Sequence, residues 1–447
     1  MISIIAVVIV TLVFLCGVAT YGAYNGWYSR GSSSDKPSDS QEKLDFPNSS
    51  QDSSSGPNSN TKSSTDKNTD SKSQNGATKK TSSSSSATSK TNAAPDSPAP
   101  KPKPTPASPV VRKPLLIKHG WDIPTTSWAA GKVASMDKMP FDGVVMSMPD
   151  GRSSSVQRQS AVSYDTYKSA LTPIAGANFK NLKHNFLIIY STPAGDLFDD
   201  WSTPVGNYAN VAKAANEAGL TGIFFDNEQY FGDAMFYPEN CSSGKTVSQC
   251  RNQAQLRGTQ IVNAIRSNWP DVKILVAHGP YISESKTAAY LNSRGIRWND
   301  IAWANQLQGS FTVGMAAATV DTSAQYIDGG QVYAARTSQN FKDIQYWQKQ
   351  GMAAQSSIIP DYLRSGWAGN VSSSFGVYDQ SGLASGTSGT PMDPTIWRSS
   401  LTHALSNADH YVWAYTERYD WWGTGWPTTT VPNAWVTATR DAHNATR

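Results

Sequence analysis

The chain has 447 residues, 11 % of them aromatic, and a formal charge of +4. The surplus is local: residues 30–113 hold 13 Lys/Arg against 8 Asp/Glu, which leaves the rest of the chain near −1. A nucleic-acid partner needs a basic stripe on the folded part, and none is present. No P-loop, dinucleotide fingerprint, G-x-S-x-G elbow or H-E-x-x-H pair occurs, so neither a cofactor nor a metal is called for.

In chain order, residues 1–28 are expected to form an N-terminal transmembrane anchor or signal segment. The run ISIIAVVIVTLVFLCGVA carries no charge. It falls short of the roughly 20 apolar residues a span requires, but Tyr21, Tyr24, Trp27 and Tyr28 follow it like an interfacial aromatic belt. An uncleaved single-pass anchor is the expectation. A cleaved signal peptide, with Gly17-Val18-Ala19 as a weak site, is the alternative. Both readings put the following chain outside the cell. Cys16 follows Leu15 rather than a small residue, which argues against lipidation. Residues 29–112 are rich in Ser, Lys and Pro and too poor in apolar groups to offset the entropy of ordering. They read as a disordered linker, stiffened at SPAPKPKPTPASP.

Residues 113–447 carry 14 of the 15 Trp and alternate short apolar runs with helical patterns. Such alternation predicts βα units and a parallel sheet. The candidate strands are LLIKHGWD (115–122), FDGVVMSMPD (141–150), FLIIYST (186–192), TGIFFDNE (221–228), KILVAHGP (273–280), SSFGVYD and HYVWAYTE (410–417). A further strand is sought in DIAWANQL or QVYAAR. Eight such units make an α/β fold, a (β/α)8 TIM barrel with loop insertions, expected to be a monomer. Cys241 and Cys250 bound the polar loop CSSGKTVSQC. In an exported domain a local disulfide is the reading, since no His lies nearby to complete a metal site.

Barrel active sites gather at the C-terminal ends of the strands. The polar residues closing these runs are His119-Gly120-Trp121-Asp122, Pro149-Asp150, Asp226-Asn227-Glu228, His278, Tyr378-Asp379 and Thr416-Glu417-Arg418. Two carboxyl groups at one mouth are what glycoside hydrolysis uses, one protonating the leaving oxygen and one attacking carbon or activating water. Asp226 and Glu228 share one side of their strand, and Asp226 is expected to raise the pKa of Glu228 and keep it protonated as general acid. Glu417 is the expected second group. Trp121, Tyr230, Trp413, Tyr415 and Trp421 offer flat faces for sugar rings. Asp122 and His278 are candidates for sugar hydroxyls, and Arg336 for an acidic sugar.

Residues 219–230 resemble the fourth-strand signature of two groups of (β/α)8 glycoside hydrolases. Asn227-Glu228 is similar to the Asn-Glu pair of the large retaining clan. That resemblance implies an acid/base at Glu228, a nucleophile at Glu417 and a sugar hydroxyl on Asn227. Asp226-x-Glu228-x-Tyr230 is similar to the D-x-E-x-Y end of family 18 chitinases, although Thr221 and Phe224 stand where that motif has two further Asp. This second resemblance implies substrate assistance oriented by Asp226, with Trp413 as the family's last-strand Trp. The expected function is an exported, membrane-anchored hydrolase of a polysaccharide or oligosaccharide; a non-catalytic carbohydrate-binding barrel is the alternative.

Overall fold

The computed structural model describes residues 113–447 apart from 229, 231–233, 243, 299–305 and 381–391. The expected anchor and linker lie outside the described residues, as does most of DIAWANQL. Among the described residues, no helix is long and apolar enough to cross a membrane.

Among the described residues, nine strands occur in chain order: β1 (Leu115–Gly120), β2 (Gly143–Met146), β3 (Phe186–Tyr190), β4 (Gly222–Asp226), β5 (Lys273–Val276), β6 (Gln325–Asp328), β7 (Val371–Ser373), β8 (Phe375–Tyr378) and β9 (Tyr411–Thr416). They pair in the order β7-β6-β5-β4-β3-β2-β1-β9-β8, and every pairing is parallel. Only Ser374 separates β7 from β8. The first half of this broken strand pairs with β6 and the second with β9. Ser374 bonds to both flanks: its N–H donates to Asp328 O at 2.8 Å and its Oγ to Tyr411 O at 2.7 Å. The nine segments are therefore eight staves of a closed barrel. The sixth stave corrects the sequence reading, because QVYAAR lies beyond β6 rather than in it.

Alternation along the strands sorts side chains into two cores. Ile117, Val145, Ile188, Phe224, Leu275, Ile327 and Trp413 fill the barrel. Leu116, Val144, Leu187, Ile223, Ile274, Tyr326 and Val412 face the outer helices. Those helices begin where capping chemistry permits. Ser163 accepts from Thr166 N ahead of Tyr164–Ala175, and Thr246 with Gln249 forms a capping box for Val247–Asn268, satisfying amides that have no intrahelical partner. Cys250, in the first turn of the latter helix, is disulfide-bonded to Cys241 and so staples the long loop after β4. Gly376 makes room for the Trp413 indole, since a Cβ there would lie 2.5 Å from the ring.

The β1–β9 seam is close-set. Gly120 has φ +146°, and a Cβ on it would sit 2.1 Å from Thr416 O. Gly120→Ala is expected to lose about 1–3 kcal/mol through backbone strain alone, read as a lower urea midpoint at unchanged slope. A variant as stable as the parent would show that the seam gives way freely.

Candidate active site

Asp226 ends β4, and Glu228 follows on the same, inward parity. Asp226 is almost wholly buried and its Oδ1 accepts the Glu228 N–H at 3.1 Å. Glu228 keeps 25 % of its side chain exposed. Its Oε2 accepts from the Tyr230 hydroxyl, and His278 Nε2 stands 3.9 Å from its Oε1, an ion-pair distance rather than a hydrogen bond. Burial pushes Asp226 well above the usual carboxylate range, and the charge of Glu228 adds to the push. Glu228 is also raised by burial, but His278, Tyr230 and Gln331 outweigh that and bring it below its ordinary value. The proton of this pair therefore belongs on Asp226 and not on Glu228, the reverse of the sequence expectation. The cause is that Glu228 has donors aimed at it and Asp226 has little besides one amide.

Glu417 extends the inward parity of β9, the stave diametrically opposite β4. Tyr378 Oη donates to its Oε2 at 2.5 Å and Gln380 Nε2 to the same oxygen at 3.2 Å. Its backbone is held by Asp379, whose carboxylate accepts the N–H of Glu417 and of Arg418. Burial raises Glu417 above its ordinary value; Tyr378 and Tyr415 pull it back, and the charge of Glu228 pushes it further up. The two glutamates are thus close enough to feel each other. Tyr333 and Tyr415 line the same mouth: their rings stack at 5.6 Å and 11°, and burial first, then neighbouring charge that includes both glutamates, raises both.

Several expected ligands do other work. Asn227 is fully buried; its Nδ2 donates to His278 O at 2.8 Å and its Oδ1 accepts His278 N–H at 2.9 Å, so it holds the β5 tip and no sugar hydroxyl. Asp122 is buried against Lys118 and accepts Trp421 N–H at 2.9 Å. Trp413 is 1 % exposed, with its indole N–H given to Gly329 O at 2.7 Å; it forms the floor beneath the mouth and offers no open face. Trp421 is buried edge-on to Phe141. The Arg336 guanidinium is spent on the carbonyls of Tyr333, Ala335 and Gln380, and burial lowers it to about 10. His119 packs among Phe224, Trp413 and Tyr415, where burial first and Lys118 second depress it to about 3. Asp150 is exposed and paired with Arg152.

Facing the mouth are Asp226, Glu228, Tyr230, His278, Tyr415 and Glu417. Gln331, Tyr333 and Gln380 join them and were missed. The first two follow β6, whose own sequence Gln-Tyr-Ile-Asp has too short an apolar run to stand out. The Asp-Gly-Gly that ends it was the available signal. Among the described residues, no group of His, Cys, Asp and Glu could hold a metal ion.

No protein-family model and no curated protein matches the sequence. Solved structures similar to this chain include many barrel glycoside hydrolases. Active domain 2 of a thermostable chitinase from Pyrococcus furiosus is 11 % identical over 74 % of this chain and 97 % of its own, at a TM-score of 0.40. The exo-β-1,4-mannosidase Op5Man5 from Opitutaceae bacterium strain TAV5 is 13 % identical over 75 % of this chain and 60 % of its own, at 0.41. Endonuclease IV from Thermus thermophilus is 13 % identical over 74 % and 99 %, at 0.34.

The two readings of Asn227 separate on stability. Asn227→Ala strips a buried N–H and a buried C=O of their partners, each costing about 1–3 kcal/mol. Urea unfolding is expected to show a loss of roughly 2 kcal/mol or more. A residue kept for ligand alone would unfold with the parent.

Proposed function

We propose that this chain is a glycoside hydrolase acting on a polysaccharide, with Glu228 and Glu417 as its reacting carboxyl groups. One observation carries the reading: two glutamates from opposite staves continue the inward parity of β4 and β9 at the C-terminal mouth, each accepting a tyrosine hydroxyl. Glu228, kept ionised by His278, Tyr230 and Gln331, attacks the anomeric carbon or activates a water. Glu417, raised by burial, gives its proton to the departing glycosidic oxygen. Dividing two carboxyls in this way is what the chemistry requires. Asp226, neutral and bonded to the Glu228 N–H, fixes the turn that presents Glu228. It also spares that group a second negative charge.

We also propose that the domain is exported, with residues 1–28 as its anchor and residues 29–112 as a linker. The Cys241–Cys250 bond supports it, because such bonds persist in oxidising compartments. Protease added to intact cells should remove the domain; full protection would refute export.

Glu228→Gln and Glu417→Gln are each expected to slow release of reducing ends from a polysaccharide panel by roughly 10²–10⁴-fold. If both variants and the parent release none while the parent still binds glycans, the chain is a carbohydrate-binding barrel and not an enzyme.

The pH–rate profile offers a finer check. Its acid limb reports Glu228 losing its charge and its basic limb Glu417 losing its proton. The Tyr378 hydroxyl lowers Glu417, so Tyr378→Phe should move the basic limb to higher pH. The Tyr230 hydroxyl lowers Glu228, so Tyr230→Phe should move the acid limb up. If Tyr378→Phe moved the acid limb instead and Tyr230→Phe the basic limb, the two roles would be exchanged.

A further inference from the structure

Beside the mouth, two large indoles stand in the open. Trp121 is 49 % and Trp426 45 % exposed, and their rings lie 6.2 Å apart at an interplanar angle of 11°. Single exposed aromatics are ordinary on a protein surface, but a near-parallel pair held by buried charge is not. Trp121 continues the inward parity of β1, and its N–H donates to Thr416 O at 2.9 Å, one residue before Glu417. Trp426 rides on the loop after β9, which is wound around one carboxylate. Asp420 accepts the N–H groups of Trp422, Gly423, Thr424 and Gly425. Gly423 and Gly425 take φ of +84° and +89° to make that winding possible. Thr424 Oγ1 donates to Trp426 O at 2.9 Å. Asp122, bonded to Lys118 and to Trp421 N–H, ties the segment of one indole to the segment of the other.

We infer that Trp121 and Trp426 form a fixed platform for the outlying units of a polymer of pyranoses with equatorial hydroxyls, running from the mouth over the rim between β1 and β9. A flat indole face accepts a sugar ring through its axial C–H bonds and rejects one with an axial hydroxyl. Two such faces in near-parallel register fit consecutive units of a ribbon-like chain. Because the loop is already wound around Asp420, binding need not order it, which keeps the entropy of association low. The inference rests on the glycosidase reading for its direction along the mouth, and it makes the substrate a chain several units long rather than a disaccharide.

The experiment reads binding without hydrolysis. The full chain carrying Glu228→Gln, in mild detergent, is run in native gels containing hydroxyethyl cellulose, glycol chitin or mixed-linkage β-glucan. At least one polymer is expected to retard it. Adding Trp426→Ala should weaken the apparent affinity at least tenfold, whereas Trp426→Phe, which keeps a ring, should retain most of it. A thermal melt by circular dichroism confirms that each variant is folded. Equal retardation of the Trp426→Ala variant overturns the platform, as does an absence of retardation in all three gels. So does sedimentation showing that Trp426→Ala abolishes a dimer of the parent, which would make the indoles a contact between copies. A parent that is retarded through Trp426 but hydrolyses nothing would sink the glycosidase and leave the platform standing.

Discussion

Everything at the mouth depends on the stave that closes the sheet. Ser374 interrupts a strand so that its first half can stay with β6 while its second half moves to β9. Without that pairing on both flanks the sheet would remain open, and β4 and β9 would lie four strands apart on one face. With it, they stand across a barrel from each other. The side chains continuing them then point at one another over a floor made by Trp413. Closure determines which two acids of the chain face one mouth.

Once they meet, desolvation and donors together decide where the protons sit. All three mouth carboxyls are raised by burial. They differ in what opposes it. Asp226 accepts the Glu228 amide and little else, so it goes up. Glu228 gathers a histidine, a tyrosine and a glutamine, so it goes down. Glu417 has two tyrosines but faces the charge of Glu228, and it ends above its ordinary value. A carboxylate pair in sequence, D-x-E, does not say which member is ionised. The answer lies in residues from other staves, such as His278 on the β5 tip and Gln331 after β6, and a linear reading cannot aim those.

Much of the rest was legible, and the reason is parity. The eight-stave plan followed from apolar runs alternating with helical patterns, and failed only at β6, where two apolar residues sit between Gln325 and Asp328. The acids at the tips of β4 and β9 were visible as polar residues closing buried runs. The ligand roles went wrong where parity was not applied. On β1 the inward positions are 117, 119 and 121, so Asp122 turns outward. On β4 they are 224 and 226, so Asn227 turns outward and grips the backbone of His278. Sorting each tip by alternation separates Glu228 and Glu417 from Asp122 and Asn227 with no structure at all. Depth is different: Trp413 has the right parity but lies a layer too low, and only the barrel's registers reveal that.

The outward polar residues are not idle, and their arrangement explains how the inward ones are held. Lys118 is fully buried between the tips of β1 and β9. Burial lowers its pKa, while Asp122, Asp379 and Asp420 draw it back up. Each of those three acids holds a different piece of backbone: Asp122 the Trp421 amide, Asp379 the amides of Glu417 and Arg418, Asp420 the loop that carries Trp426. A buried ion pair adds little net stability, because removing the ions from water costs about what their attraction returns. It does fix register, since the ammonium holds Asp122 directly and its charge favours the arrival of Asp379 and Asp420 beside it. Glu417, Trp121 and Trp426 are each a residue or a short loop away from that cluster. The mouth on the β9 side is accordingly set by charge beneath it, and on the β4 side by the Asn227–His278 amide exchange and the Cys241–Cys250 staple.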